Sequence, residues 1–168
     1  MNASPPSSPA ALAAPRSTTL GWREWVGLPD LGIDAVKCKV DTGARSSALH
    51  AFQVERFTRD GSHWVRFGIH PHQHDNQTEV WCEAPVLDVR NVTDSGGHSS
   101  ERYFIATQAR IGDWILPLEL SLTSRDTMLF RMLLGREAMR GRFLVDPQRS
   151  FVLGRPAGIP ATPEQDPE

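Results

Sequence analysis

Hydrophobic and polar residues alternate in short runs along most of this chain, and Gly, Asp, Ser and Pro punctuate the runs. The clearest run is 34–40. There Val36, Cys38 and Val40 fall on one face and Lys37 and Lys39 on the other, the period of two expected of a half-buried strand. The same reading predicts strands at 20–26, 53–58, 63–69, 78–89, 102–111, 114–122, 143–145 and 150–153, and leaves 46–52 as a strand or a helical turn. Asp60-Gly61 signals a tight hairpin, 93–100 a longer hairpin tip around Ser95, Gly96 and Gly97, and 146–149 a last hairpin. Residues 128–134 form an apolar run broken only by Arg131, and 137–142 read as one or two turns of helix. Many short strands joined by turn signals predict an all-β barrel or sandwich.

Composition narrows this picture without changing it. The 168 residues are 39% hydrophobic and 23% charged, as in one globular domain. Residues 1–18 and 155–168, rich in Pro, Ala and Ser or in Pro and acids, are expected to be disordered tails around a folded unit at 19–154. A formal net charge of −2 argues against a nucleic-acid partner, which would call for a basic excess. No apolar run approaches the ~20 residues of a membrane span, and the apolar stretch 10–14 is too short for a secretory signal. Two cysteines, Cys38 and Cys82, allow one disulfide but no disulfide framework, so the expected compartment is the cytoplasm.

Candidate chemistry begins where the clearest strand ends, at Asp41-Thr42-Gly43-Ala44. A carboxylate at the end of an apolar strand is held in place, and desolvation there is expected to raise its pKa. Gly43 lets backbone amides approach and donate to that carboxylate, and the Thr42 hydroxyl can lock the loop. An ordinary Asp-Thr-Gly turn would use the same letters. The second anchor lies roughly ninety residues on, where the apolar Met132-Leu133-Leu134 meets Gly135, Arg136 and Glu137.

Together the two anchors resemble the retropepsin pattern of aspartic proteases: apolar strand, D-T-G-A, a Gly-rich flap hairpin, then apolar-apolar-Gly-Arg and a helix. A narrower resemblance covers about 21–154. It rests on K-C-K-V-D-T-G-A-R-S-S-A-L-H-A, W-V-R-F, C-E-A-P-V, L-T-S-R-D-T-M and M-L-L-G-R-E-A-M-R-G-R-F-L-V-D-P. These segments are similar to the bacterial retropepsin-like family, often labelled "ATP-dependent zinc protease" and associated with RimK-type ATP-grasp ligases. The label finds no support in the residues: no H-E-x-x-H pair and no phosphate-binding G-x-x-x-x-G-K-[S/T] loop is present.

The resemblance implies an all-β closed barrel with one short C-terminal helix, and a homodimer in which each chain supplies one aspartate. It implies no cofactor or metal. Asp41 would be the catalytic aspartate, Thr42 the hydroxyl that grips backbone across the dimer interface, and Gly43 the backbone lining the carboxylates. Ala44, Arg45, Arg136 and the flap residues Ser95, Gly96 and Gly97 would meet a peptide or protein substrate, and Gly135 would pack on the active-site loop. The association with RimK-type ligases points toward acidic or glutamylated substrates. Arg45 departs from the retroviral pattern, where an Asp at this place pairs with the Arg of the Gly-Arg motif. Two cations ~5 Å apart would repel by roughly 3 kcal/mol at an effective dielectric near 20. Either Arg45 and Arg136 diverge, or a carboxylate such as Glu137 or a substrate's bridges them.

Three rival constellations remain. His70, His72 and His74 alternate onto one face of an extended segment and could hold zinc, which would make a zinc-dependent peptidase, although spacing identifies no fourth ligand. Ser46, Ser47 and His50 follow Asp41 closely, but no nucleophile elbow accompanies them. A peptide-binding module without catalysis would use the same fold and groove.

Overall fold

The computed structural model describes residues 17–73, 75–94, 96–124 and 129–156. The expected tails lie outside these residues apart from Ser17, Thr18, Arg155 and Pro156. The strands are β1 (Thr18–Leu20), β2 (Arg23–Leu28), β3 (Ile33–Val40), β4 (Ser47–His50), β5 (Phe52–Arg59), β6 (Ser62–Ile69), β7 (Val80–Pro85), β8 (Asp88–Thr93), β9 (Ser99–Ile111), β10 (Trp114–Thr123), β11 (Met132–Leu134) and β12 (Phe143–Val145). One short helix, α1 (Arg136–Met139), and a 3-10 turn at Pro29–Leu31 complete the set among the described residues.

Six strands close on themselves in the order β10-β4-β11-β3-β2-β9, with β9 pairing back to β10. The chain is therefore an all-β closed barrel with one short helix. Closure removes the sheet edges that would otherwise stay unpaired. The inward positions Val26, Val36, Cys38, Leu49, Ile105, Leu118, Leu120, Met132 and Leu134 form its core. Strand β8 extends one side of the barrel by pairing with β9, and β5, β6 and β7 form a separate antiparallel sheet packed on the same core.

Alternation predicts the strands where the pattern is strict. At the β5–β6 turn Asp60 and Gly61 both adopt positive φ, 51° and 78°, the left-handed pair that a two-residue hairpin of primed type requires. Residues 46–52 resolve as β4 and the start of β5, not as helix. The strand expected over 20–26 divides at Gly21-Trp22, because Thr18–Leu20 pairs with β12 whereas Arg23–Leu28 pairs with β3. Three further expectations need correction. The strand expected over 78–89 breaks after Pro85, because Val80–Pro85 pairs with β6 whereas Asp88–Thr93 pairs with β9. Lys37, assigned to the polar face, is only 5% exposed, since Trp25 and Phe151 cover that face and its Nζ lies 5.5 and 6.0 Å from their ring centres.

The third concerns 150–153, which form no strand. The buried Glu24 carboxylate accepts N–H bonds from Val152 and Leu153, each at 3.0 Å, and from Gly21 at 2.7 Å. Phe151 takes a positive φ of 51° and stacks on Trp25. Its neighbour β12 pairs in parallel with β1 instead of forming the expected hairpin.

Candidate active site

Strands β3 and β11 run parallel, with Leu134 in register with Val40. The residues that follow both strands, Asp41 and Gly135, therefore emerge side by side. The Asp41 N–H donates to the Leu134 carbonyl at 2.9 Å. One carboxylate oxygen of Asp41, Oδ1, accepts the Gly43 N–H at 3.0 Å. A Cβ on Gly43 would sit 3.2 Å from that same oxygen, so the residue's smallness keeps the carboxylate approachable. Asp41 is half-buried, and Thr42 and Gly43 are exposed.

The turn into α1 fastens this loop. Arg136 and Glu137 donate their N–H groups to the Ala44 and Arg45 carbonyls at 2.8 and 3.1 Å, and Arg136 Nη1 donates to the Gly43 carbonyl at 3.1 Å. The Gly135 N–H goes to Ser47 Oγ at 3.0 Å. A Cβ on Gly135 would lie 2.5 Å from the carbonyl carbon and oxygen of Ser46 and 2.8 Å from the Arg45 oxygen, all backbone atoms that cannot swing aside. Only glycine fits there.

Asp41, Gly43, Ala44, Arg45 and Arg136 line one groove of about 550 Å³, together with Asp94 and Arg102 from the β8–β9 hairpin. Of the other residues singled out from sequence, Thr42, Gly96 and Gly97 are not among its lining, and Ser95 lies outside the described residues. Asp94 shapes the hairpin tip: its Oδ1 accepts the N–H groups of Gly96 and His98 at 2.9 and 3.0 Å. Sequence reasoning missed Asp94, Arg102, Ser121 and Thr123 in the groove wall, and offered Ser47 as a nucleophile candidate where the structure makes it the acceptor of the Gly135 N–H. The signal for Asp94 was an Asx residue two positions before the Gly96-Gly97 pair; Ser121 and Thr123 end the alternation of β10 with small hydroxyls.

The two arginines are used differently. Arg45 Nε donates to Glu137 Oε1 at 2.8 Å, while Arg136 turns to the Gly43 carbonyl. Hydrogen bonding and charge from Arg45 hold the Glu137 carboxyl below the usual carboxylate range. Both partners are well exposed, so this ion pair orients Arg45 more than it stabilises the fold.

The rival constellations come apart. His70 stacks on Phe52 with ring centres 4.2 Å apart and faces the Thr78 carbonyl at 3.3 Å. His72 lines a different cavity, of about 390 Å³, with Trp25 and Asp75, and His74 lies outside the described residues. Among the described residues no three His, Cys, Asp or Glu side chains gather in a metal-holding group. Ser47 and His50 are three residues apart on β4, and an odd separation points them to opposite faces. Cys38 and Cys82 are buried free thiols; burial raises the first well above its ordinary value and pushes the second up to about 11, so neither is a ready nucleophile. Among the described residues no helix is long and apolar enough to cross a membrane.

Comparison with known proteins adds three findings. The sequence model of the RimB-like family, described as "Retropepsin-like aspartic endopeptidase RimB", matches residues 19–156. Proteins named "Probable alpha-L-glutamate ligase" from Parasynechococcus marenigrum and Shewanella pealeana are 48% and 47% identical over 139 and 135 residues, which is 83% and 80% of this chain. The match spans only 30% of the length of either relative. A crystal structure of a Legionella pneumophila protein of unknown function superposes with a TM-score of 0.67 at 25% identity, covering 81% of this chain and 98% of that one.

Proposed function

Because the chain belongs to the RimB-like family of retropepsin-like aspartic endopeptidases, we propose that it hydrolyses peptide bonds with water activated by two aspartates, one Asp41 from each of two chains. The observation that carries this reading is Asp41 itself: half-buried at the end of β3, its Oδ1 held by the Gly43 N–H, on a groove of about 550 Å³. One such carboxylate per chain is half of a dyad, and a two-fold axis beside the exposed Thr42 and Gly43 would supply the other half. Two carboxylates at ~3 Å cannot both ionise. The ionised one takes a proton from water as the neutral one donates to the scissile carbonyl, and the resulting titration belongs to the pair. No covalent intermediate and no metal ion enters this scheme. Both cysteines remain thiols, which suits the reducing cytoplasm.

The proposed substrate is an acidic peptide. Arg45, Arg102 and Arg136 all reach the groove, and relatives that contain this unit are named glutamate ligases. A functional link to a RimK-type ligase follows the same logic. A second reading is favoured by the relatives' length: in a protein more than twice as long, the unit could hold a glutamylated chain for the ligase without cutting it. Asp41→Asn separates the two readings, since the amide is nearly isosteric but cannot act as the base. Peptidase function predicts that hydrolysis of Glu-rich peptides disappears in Asp41→Asn with binding retained, and that chelators leave the wild type unaffected. Hydrolysis that survives the substitution would end the aspartic mechanism; binding without hydrolysis in the wild type would favour the module.

A further inference from the structure

We infer that Ser47 is a positioning residue for Asp41, acting through Gly135; the inference rests on the aspartic peptidase reading above. The loop 41–46 joins β3 to β4, and its outer residues Thr42, Gly43 and Arg45 are exposed, so its shape depends on what grips it from the side. That grip is the turn from Leu134 to Glu137. Main-chain carbonyls of the loop take the N–H groups of Arg136 and Glu137, and the Leu134 carbonyl takes the N–H of Asp41. The intervening Gly135 N–H points to a side chain instead, the hydroxyl of Ser47 at 3.0 Å in a buried bond.

Among the described residues this is the one main-chain N–H of the turn that goes to a side chain, and its place is closely constrained. Ser47 is 2% exposed, and its own carbonyl accepts the hydroxyl of Ser121 at 3.3 Å. Ser121 belongs to the groove wall, so a buried path runs from the wall through Ser47 to Gly135, beside Asp41. Ser47 itself does not line the groove and touches no reacting group. Gly135 already sits against the backbone of Arg45 and Ser46 without room for a Cβ, so it cannot move toward the loop to find another acceptor. Without the hydroxyl a buried N–H is orphaned, and the cheapest repair is for the turn to swing toward water. That swing would take the Leu134 carbonyl, and with it the Asp41 backbone, out of line.

The test uses the full chain and three substitutions, Ser47→Ala, Ser47→Cys and Ser47→Thr. Hydrolysis of a Glu-rich peptide is measured well below the unfolding midpoint, and amide exchange at Gly135 is followed in parallel. Removing the acceptor should accelerate Gly135 exchange and lower kcat by roughly tenfold or more with KM nearly unchanged. Ser47→Cys, a weak acceptor of similar size, should fall between, and Ser47→Thr should restore both readouts. A merely structural serine would lower the unfolding midpoint and leave kcat per folded chain alone. Wild-type kcat and slow Gly135 exchange in folded Ser47→Ala, with hydrolysis lost in Asp41→Asn, would overturn this inference alone. Full hydrolysis in Asp41→Asn would overturn the aspartic reading and this inference with it.

Discussion

Arg45 lines the groove, uses the Nε–H of its five N–H donors on Glu137, and is 78% exposed in its side chain. A guanidinium so placed suits a carboxylate, because two parallel N–H groups match its two oxygens. Cleavage profiling of a peptide library should therefore show Glu or Asp enriched on one side of the cut, with the enrichment reduced in Arg45→Ala and at high salt. An enrichment that ignores Arg45→Ala would remove this residue from recognition. The sequence announced the two cations and offered Glu137 as the bridge between them. It could not show that Arg136 would turn to the Gly43 carbonyl, because that choice depends on a turn closed 93 residues away. Ser47 was offered only as a nucleophile candidate for the same reason: its partner Gly135 is 88 residues distant.

Short strands with strict alternation were readable at the scale of elements, because each carries its own period and turn. What the sequence hides is which strand each one meets. The expected strand over 150–153 fails because a carboxylate 128 residues upstream captures its N–H groups, and the expected strand over 78–89 divides because its halves find different neighbours. The loop between β6 and β7 offers a local test. Asp75 accepts the Thr78 hydroxyl at 2.7 Å and the Gln77 and Thr78 N–H groups at 2.8 and 3.2 Å, which hold its carboxyl down at about 2. A carboxyl depressed by folding contributes in full above its ordinary unfolded value and loses that contribution as pH falls through the folded one. The turn should thus hold at about pH 3, with slow Thr78 amide exchange, and loosen only near pH 2. Thr78→Val should raise the pH at which it opens. Fast exchange already at pH 4 in the wild type would contradict the hydrogen bonding described for this loop.

For the molecule as a whole, strand count and turn signals left a barrel or a sandwich open, and the closed barrel was legible through the resemblance of the two anchors to the retropepsin pattern. The proposed dimer was legible only as arithmetic, one Asp-Thr-Gly where two carboxylates are needed. The folded-back segment at 150–153 bears on how such a dimer would form. Held by Glu24 of its own chain, it is not free to lend a strand to a neighbour, so the interface would centre on the Asp41 loops. Subunit mixing tests that claim most directly. Wild-type and Asp41→Asn chains are unfolded together, refolded at constant total concentration, and assayed against a Glu-rich peptide. If each site needs an Asp41 from both chains, activity falls as the square of the wild-type fraction, to about one quarter in an equal mixture. A linear fall, to about one half, would mean that each chain works alone and would contradict the shared dyad.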